Sequence, residues 1–274
     1  MNQSSEKRKR SVKDKLISSI NHIRYSLTEP ILLRIARARY ERKYLQADES
    51  PLISITIPTY DRGQLIIDRT LPSILAQTYQ NFEVLIIGDC SVGDTPKILS
   101  EINHPKVKFI DLPVRTKYPD DPKLRWFISG VGPSNYGINI AKGKWICYFD
   151  DDDIMSPNYL KDLLRFAQSG DYEFVAGLYE EERDGVTNIV GHKSPDHPEF
   201  GGHSTWMYRS YLRFFKYNIN SWRKSYNCPQ DIDLLLRMYN AGVRMELLDK
   251  VVSYIKPRPG EKKIGLAARL DTNN

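Results

Sequence analysis

The sequence predicts an α/β protein: an open, mostly parallel β-sheet flanked by helices, with a helical extension before it. The first observation is a series of short, almost entirely apolar runs, such as 52–58 (LISITIP) and 82–88 (FEVLIIG). Such runs are typical of parallel strands that are buried on both faces. The second observation is that stretches with helical patterns lie between these runs. This alternation of strand and helix is the pattern of a parallel sheet.

The N-terminal extension, residues 1–49, is predicted to be basic and helical. Apolar residues recur at steps of four, four, three and four from Val12 to Leu27, which places them on one face of a helix. Pro30 predicts an interruption, followed by a second, arginine-rich helix over 31–45. Two interpretations stay open: helices that pack on the body or on another subunit, or a helix that lies on an anionic membrane surface.

The body of the protein is predicted to occupy residues 50–258 as one domain. Two of its helices carry start signals, because Thr95 precedes a proline and Ser156 precedes Pro157. The tail begins at Lys256, at the end of the last predicted strand, and its part beyond the domain is 259–274; its Lys and Arg residues either close over a diphosphate or belong to a partly disordered segment. The predicted strands are 52–58, 82–88, 107–112, 144–149, 172–180 and 251–256, and the predicted helices are 65–79, 95–102, 133–143, 156–170 and 230–241.

Composition limits the classes of protein to consider. With 274 residues and 41% hydrophobic content, the chain is long enough to bury a sizeable core. The net charge of +6 is concentrated in the first 45 residues, which carry twelve basic and four acidic side chains, so the remainder is slightly acidic. A uniformly basic nucleic-acid-binding protein is therefore not indicated, and we expect no nucleic-acid partner.

The same patterns suggest a location. The sequence contains no apolar run near the roughly 18 residues of a transmembrane helix, and no apolar signal-peptide core follows its basic start. The three cysteines form no C-x-x-C pair, so neither a disulfide framework nor a zinc site is indicated. We therefore expect a cytoplasmic protein, with peripheral contact at the inner face of the cell membrane as the role that the basic extension suggests.

Four consecutive aspartates, residues 150–153 in the stretch YFDDDDIMSP, follow the predicted strand 144–149 directly. Their carboxylates repel one another and are costly to bring out of water. Ligands of open parallel sheets bind at the carboxyl ends of the strands, which is where this run lies. Hard cations such as Mg²⁺ and Mn²⁺ take carboxylate oxygens together with substrate phosphates. The run therefore predicts a metal–diphosphate site, the alternative being a solvated acidic loop that caps the next helix.

Two other strand ends carry polar groups that suit a nucleotide. Asp89 follows strand 82–88, where its carboxylate could accept hydrogen bonds from a ribose or a base. Tyr60 follows strand 52–58 and could stack on a base or pack against the next helix. The alternative for Asp89 is an ordinary turn residue beside Gly88 and Gly93.

The order SITIPTYDR, FEVLIIGDCS, GINIAKGKWICYFDDDDIMSP and QDIDLLLRMYNAG resembles family-2 glycosyltransferases with the GT-A fold, over roughly residues 51–256. The resemblance implies that Tyr60 and the two residues before it form a nucleotide-binding loop whose aromatic ring lies against the base. It implies that Asp89 hydrogen-bonds a uracil and that Asn135 belongs to the nucleotide site. The nucleotide-binding residues expected in this way are Pro58, Thr59, Tyr60, Asp89, Asn135, Asp150 and Asp151.

The resemblance also implies roles in catalysis. The aspartate run matches the family's D-x-D motif, so Asp150 and Asp152 are the expected ligands of Mn²⁺ or Mg²⁺. Asp231 matches the second acid of an E-D pair and is expected to be the general base of an inverting transfer. Asp233, two residues further along the predicted helix, is expected to pair with Arg237 instead.

The chain departs from the family pattern at three positions. Gly88 stands where the family has an acid, Ser134 where it often has an arginine, and Gln230 where it has the first acid of the E-D pair. Lys123 or Arg125 could replace the missing arginine. An aromatic segment, 199–222, is expected to line the acceptor and donor-sugar pocket, to which we assign His203, Trp206 and Gln230.

The function expected from the sequence is a metal-dependent, inverting glycosyltransferase that moves a sugar from a nucleotide sugar, with UDP favoured, to a glycan or lipid-linked acceptor. A nucleotidyltransferase acting on sugar phosphates is one alternative, although IPTYDRGQL lacks the Gly-rich basic loop of that class. A catalytically inactive GT-A scaffold protein that acts through its basic helices is the other.

Overall fold

The computed structural model describes residues 10–45, 48–183, 185–193, 198–224 and 228–271. Among these residues, nine strands form the main sheet and two more form a small hairpin. This confirms the predicted mixed α/β fold with a mostly parallel sheet and a helical N-terminal extension.

One half of the main sheet is entirely parallel, in the order β3-β2-β1-β4. Its strands are β1 (Ile53–Thr59), β2 (Phe82–Gly88), β3 (Val107–Asp111) and β4 (Trp145–Tyr148). All four were predicted within a few residues, because β1, β2 and β4 are almost wholly buried and their sequences are nearly continuous apolar runs. The carboxyl ends of these strands lie at one edge of the sheet and position the site.

The other half is mixed. Strand β10 (Trp206–Arg209) runs antiparallel between β4 and β6 (Phe174–Arg183). Strand β11 (Met245–Ile255) is parallel to β6, and β5 (Ile154–Met155) pairs with it at the edge. The sequence did not predict β10, whose four residues are too few to show a pattern. Strand β7 (Val186–Val190) pairs with β6, and β8 (His192–Lys193) pairs with β9 (Pro198–Glu199).

Helices cover both faces of the sheet and enclose two hydrophobic clusters. Successive side chains of a strand point to opposite faces of the sheet, so they belong to different clusters. Val84 packs on one face of β2 and Leu85 on the other. The helices of the body are α3 (Gly63–Leu65), a π-helical turn (Ile66–Thr70), α4 (Leu71–Leu75), α5 (Thr95–Ser100), α6 (Pro122–Trp126), α7 (Val131–Ile140), α8 (Tyr159–Ser169), α9 (Gln230–Ala241) and α10 (Gly265–Asp271).

Several predicted helix boundaries were wrong. The helix expected over 65–79 is instead three short segments that end at Leu75. Ser156 is not the cap of α8, because its backbone N–H donates to Val252 and its carbonyl accepts from Gln77. Thr95 is the first residue of α5, and its hydroxyl accepts from the backbone of Gly63. In each case a contact with another element outweighs the local signal.

The N-terminal extension contains one long helix, α1 (Val12–Tyr40), followed by α2 (Arg42–Leu45). The interruption predicted at Pro30 is wrong, since the helix continues through it. A proline inside a helix costs about 3 kcal/mol. Contacts with the body offset that cost, because Leu33 and Ala36 are buried just beyond it.

Ion pairs attach α1 to the body along its whole length. Near its start, Asp14 pairs with Arg223; in the middle, Glu29 pairs with Arg237 of α9. Near its end, the Arg37 guanidinium donates to Glu173. The helix therefore lies on the body beside α9. Across the described residues, no helix combines the length and the apolar content needed to cross a bilayer.

Candidate active site

The ends of β1, β2 and β4 surround one cavity of about 110 Å³. Of the seven residues expected to bind a nucleotide, only Asn135 does not line it. Its side-chain amide instead exchanges two hydrogen bonds with the backbone of Tyr217. The six that line the cavity are Pro58, Thr59, Tyr60, Asp89, Asp150 and Asp151.

Arg115 covers the aromatic ring at the mouth of this cavity. Its guanidinium carbon lies 3.6 Å from the ring centroid of Tyr60, and its Nη1 donates to the Tyr60 hydroxyl at 2.5 Å. A guanidinium stacked in this way on an aromatic ring supplies positive charge beside a flat apolar face. The pair can hold a base and an adjacent anionic group.

Asp89 is buried at the back of the cavity and is fully engaged by the loop that follows β3. Its Oδ1 accepts from the backbone and hydroxyl of Thr116 at 2.9 and 2.7 Å, and its Oδ2 accepts from Tyr118 at 2.5 Å. Burial and the Asp89 carboxylate raise the pKa of Tyr118, so this tyrosine stays a donor. Asp89 therefore also holds the loop 112–121 against the cavity.

Gly88 has a steric reason to lack the acid that the family pattern would place there. A Cβ atom at Gly88 would collide with the carboxylate of Asp111, at the end of β3, and with the hydroxyl of Ser91. The Asp111 carboxylate accepts from the Ser91 backbone at 2.9 Å. An acid from the neighbouring strand thus occupies the space beside β2.

The first aspartate of the run, Asp150, is held by three side chains. It accepts hydrogen bonds from Ser204 and Tyr148 at 3.1 Å, and the His203 ring nitrogen lies 3.0 Å from its Oδ2. Burial raises the pKa of Asp150, but the His203 charge and these hydrogen bonds outweigh it, and the net pKa is lowered. Burial lowers the pKa of His203, whereas Asp150 and Asp231 raise it, with a net rise.

The next two aspartates are held by arginines. The Arg62 Nη1 lies 2.6 Å from Asp151 and 3.2 Å from Asp152, and the Arg258 Nε donates to Asp152 at 2.7 Å. Burial raises the pKa of Asp151 to about 6, although the Arg62 charge opposes this. Two guanidiniums therefore supply positive charge to the centre of the run.

The fourth aspartate, Asp153, turns into the protein. Its backbone carbonyl accepts from the Thr70 hydroxyl at 3.0 Å, and its side chain is buried. Burial, reinforced by the neighbouring carboxylates, raises its pKa well above the ordinary value. Asp153 is thus separated from the other three aspartates, which contact His203, hydroxyl groups or arginines, and this explains how four adjacent acids are tolerated at the edge of a core.

The donor groups of the site suit a divalent metal. Carboxylate oxygens are the donors that Mg²⁺ and Mn²⁺ prefer, and Asp152 keeps a side chain that is 19% exposed between its two arginines. Within the described ranges, no three His, Cys, Asp or Glu side chains are gathered as a ligand set. The donor chemistry thus fits a metal that takes one or two protein carboxylates and the rest of its ligands from a substrate.

Helix α9 places Asp231 beside His203. Asp231 is half-buried in the first turn of α9, where its carboxylate accepts from the backbone of Ile232, and its charge helps to raise the pKa of His203. Its neighbour Asp233 is buried and pairs with Arg237 at 2.8 Å, as expected. Asp231 therefore keeps solvent access and acts on His203 through its charge, and His203 in turn contacts Asp150.

Two residues assigned to the acceptor pocket have side chains that are almost fully buried. Trp206 is only 1% exposed, and its indole N–H donates to the carbonyl of Gly201, so it is a core side chain. Gln230 is 4% exposed and donates to the carbonyl of Ser129, which fastens α9 to the loop beside the cavity. His203 remains at the site through its contact with Asp150.

The sequence did not identify Arg62 or Arg115 as residues of the site, and it left two interpretations for the segment that contains Arg258. Arg62 stands in the same IPTYDR stretch as Tyr60, so its position beside the strand ends was a usable signal. Arg258 belongs to the tail whose basic residues were expected either to close over a diphosphate or to be partly disordered. Of the two candidates for the missing arginine, Arg125 lines the cavity and Lys123 does not. Residues 272–274 of the tail lie outside the described residues.

Comparison with known proteins places this geometry in context. GlyG of Streptococcus pneumoniae, a glycosyltransferase, is 30% identical over 138 residues, which is 50% of this chain and 42% of GlyG. WfaP of Escherichia coli, a UDP-Glc:alpha-D-GlcNAc-diphosphoundecaprenol beta-1,3-glucosyltransferase, is 28% identical over 145 residues, or 53% of each chain. The chain thus matches about half the length of these curated relatives.

Two solved structures share the fold. Staphylococcus aureus TarS 1–349 in complex with UDP-GlcNAc superposes with a TM-score of 0.59 and 21% identity, over 77% of this chain and 60% of that one. The mannosyltransferase PcManGT of Pyrobaculum calidifontis, in complex with GDP-Man and Mn²⁺, superposes with a TM-score of 0.55 and 14% identity, over 83% of this chain and 68% of that one.

The family model described as Glycosyl transferase family 2 matches residues 54–119 and 132–241, more than half of the chain. These two ranges contain β1, β2 and β4, the aspartate run, and the helix that carries Asp231. The chain therefore belongs to glycosyl transferase family 2.

Proposed function

We propose that this protein transfers a hexosyl group from a nucleotide sugar to an acceptor hydroxyl. The observation that carries the proposal is the cavity at the strand ends, which is lined by an aromatic ring, a buried aspartate and two members of the aspartate run. This is a suitable lining for a base, a ribose and a diphosphate. Membership of the family supports the same activity.

The nucleotide proposed for the donor is UDP. Tyr60 and Arg115 would hold the base, and Asp89, whose oxygens already accept hydrogen bonds, would meet it at the back of the cavity. TarS, which shares the fold, binds UDP-GlcNAc in its own structure. PcManGT binds GDP-Man, so the choice of base is a point for experiment.

The proposed cofactor is Mn²⁺ or Mg²⁺, held by Asp150 and Asp152. Such an ion would neutralise the negative charge that develops on the leaving diphosphate. Arg62 contacts Asp151 and Asp152, Arg258 contacts Asp152, and both guanidiniums would face the same diphosphate. The support for the ion is the donor chemistry of the run and the Mn²⁺ in the PcManGT complex.

Asp231 is the proposed general base of an inverting transfer. The acceptor hydroxyl must lose its proton as it attacks the anomeric carbon, so a carboxylate has to lie within hydrogen-bond reach. Asp231 is half-buried at the start of α9, beside the His203 that contacts Asp150. His203 would orient Asp150 and keep a positive charge between the two carboxylates.

The proposed acceptor is a glycan, either free or linked to a lipid diphosphate. WfaP, which matches half of this chain, acts on a diphosphoundecaprenol-linked sugar. An acceptor of that kind remains in a bilayer, so the enzyme would work at the membrane surface, and we propose peripheral contact through the N-terminal extension. A cytoplasmic location follows from this proposal.

A panel of nucleotide sugars tests the proposed function directly. The protein is incubated with UDP-, GDP- and dTDP-hexoses, with Mn²⁺ and with chelator, and the released nucleotide diphosphate is measured. We expect release from one UDP-hexose that depends on the metal. Release of pyrophosphate from a nucleoside triphosphate and a sugar phosphate, with no turnover of any nucleotide sugar, would instead indicate a nucleotidyltransferase.

A further inference from the structure

Helix α1 carries a row of exposed aliphatic side chains that nothing in the proposed chemistry uses. Side chains of this kind are usually buried, and a continuous exposed row marks an interaction surface. We name this row the outer ridge. Its members, which are 54% to 82% exposed, are Val12, Leu16, Ile20, Ile23, Leu27 and Ile31.

The outer ridge lies on the side of α1 that faces away from the body. At about 100° per residue, its six side chains fall within an arc of about 100°. The residues that α1 buries, among them Asp14, Glu29 and Ala36, are centred about 180° away on the same helix. The body therefore leaves the outer ridge open along its whole length.

The charges around the outer ridge have one sign. The only acids of α1 are Asp14 and Glu29, and both are buried in ion pairs with arginines of the body. The exposed charged side chains of α1 are all basic: Lys13, Lys15, Arg24, Arg34 and Arg39. The open face thus combines an aliphatic row with a positive border.

This combination suits an anionic bilayer better than a second copy of the helix. Two copies paired through the outer ridge would bring their positive borders together, with no exposed acid on α1 to pair with them. A helix with an aliphatic face and basic flanks instead lies in the headgroup region, where the aliphatic groups enter the acyl boundary and the cations meet lipid phosphates.

We propose that the outer ridge is a membrane-binding surface for bilayers that contain anionic lipids, with α1 lying parallel to the bilayer. The proposal deepens the peripheral contact proposed above, on which it rests for its biological setting. Because it is read out by binding and not by turnover, its failure and a failure of the transfer chemistry can be told apart.

The position of α1 gives this surface a consequence for the site. Asp14 pairs with Arg223, in the turn that precedes α9 in the sequence; Glu29 pairs with Arg237 in the second half of α9, and Arg37 donates to the carbonyl of Gly242 just past its end. The two helices therefore run in the same direction, side by side, about 8–10 Å apart between axes. Binding through the outer ridge would hold α9, and Asp231 with it, about one helix diameter above α1, on the side of α1 that faces away from the bilayer.

Vesicle co-sedimentation of the full chain tests the proposal. The wild type is compared on phosphatidylcholine vesicles and on vesicles in which a third of the lipid is phosphatidylglycerol, and Leu16→Gln/Ile23→Gln/Leu27→Gln is compared on the latter. We expect the wild type to bind the anionic vesicles at least tenfold more tightly than the phosphatidylcholine vesicles. The affinity of the triple variant for the anionic vesicles should be at least tenfold lower than that of the wild type. The matched control, Leu32→Gln/Val186→Gln/Ile189→Gln, removes exposed aliphatic side chains outside the ridge and should bind like the wild type.

A second variant keeps the test decisive if the triple variant does not fold. Lys13→Glu/Arg34→Glu changes only exposed charges and should weaken binding to anionic vesicles while leaving the aliphatic row intact. Equal binding of the wild type to both kinds of vesicle would overturn the proposal. So would a ridge-dependent dimer in light scattering without vesicle binding, because the ridge would then serve a second copy.

Discussion

At the scale of single residues, four neighbouring aspartates have three kinds of environment. Asp150 is held by His203 and hydroxyl groups, Asp151 and Asp152 by arginines, and Asp153 is buried with a raised pKa. The repulsion between the adjacent carboxylates is thus reduced in two ways. Asp153 turns into the protein, and cations from three distant segments contact the other three aspartates. The same arrangement leaves Asp152 partly open to a metal.

Arg258 gives a prediction about the charge at this site. Arg258→Gln removes one of two guanidiniums from Asp152, so we expect a loss of about 1–2 kcal/mol in the free energy of unfolding. Mn²⁺ should then raise the melting temperature of the variant more than that of the wild type, since the ion supplies the missing positive charge. Lys262→Gln, a neighbouring exposed cation, is the control. An equal response of both variants to Mn²⁺ would argue against a metal at Asp152.

The sequence identified carboxylates more readily than arginines, and the reason is physical. A carboxylate that directly follows a buried strand is unusual, so Asp89 and the aspartate run were conspicuous, and Asp89, Asp150 and Asp151 do line one cavity. An arginine in a loop is ordinary, and Arg115 reaches its partner only after the loop folds back. Trp206 was placed in the pocket because aromatic residues suit both sugars and cores, and only its burial decides between them.

At the scale of elements, the strands were predicted better than the helix ends. Strand β2 matches its prediction residue for residue, because both of its faces are buried and its apolar run stops at the glycine that ends the strand. Helix ends depend on partners that are distant in the sequence, as at Ser156 and Pro30. Strand β10 was missed because its edges are set by pairing with β4 and β6.

The docking of α1 gives a prediction at this scale, through Glu29. Burial raises the pKa of Glu29 to about 7, although the charge of Arg237 opposes this; Asp233 raises it further and Arg24 opposes it. A carboxyl group whose pKa is raised on folding stabilises the fold fully below its unfolded pKa. That contribution is lost as the pH rises through about 7. The melting temperature of the wild type should therefore fall between pH 5 and pH 8.

Glu29→Gln keeps a hydrogen-bond partner for Arg237 and removes the titrating group. The fall in melting temperature between pH 5 and pH 8 should therefore be smaller in this variant than in the wild type, by several degrees. The exposed Glu101→Gln serves as the control and should follow the wild type. If Glu29→Gln showed the same dependence of melting temperature on pH as the wild type, the carboxyl would not be titrating in this range.

At the scale of the whole molecule, one edge of the sheet carries the candidate active site, and one long helix, α1, carries the proposed membrane-binding surface. The parallel half of the sheet positions the residues that line the cavity, and α9 carries Asp231 in its first turn. Helix α1 lies beside α9 and presents the outer ridge on its far side. The division into residues 1–49, 50–258 and 259–274 stays a prediction, and α10 (Gly265–Asp271) shows that the tail contains a helix.

The measurement that tests the central claim most directly compares nucleotide binding with turnover in Asp231→Asn. UDP binding is followed by calorimetry in Mn²⁺, and transfer is followed with the nucleotide sugar that the panel identifies. The account predicts binding within about twofold of the wild type and a loss of turnover of about 10²–10⁴-fold, the contribution typical of a general base. Turnover at the wild-type rate would contradict it, because the acceptor would then lose its proton without this carboxylate.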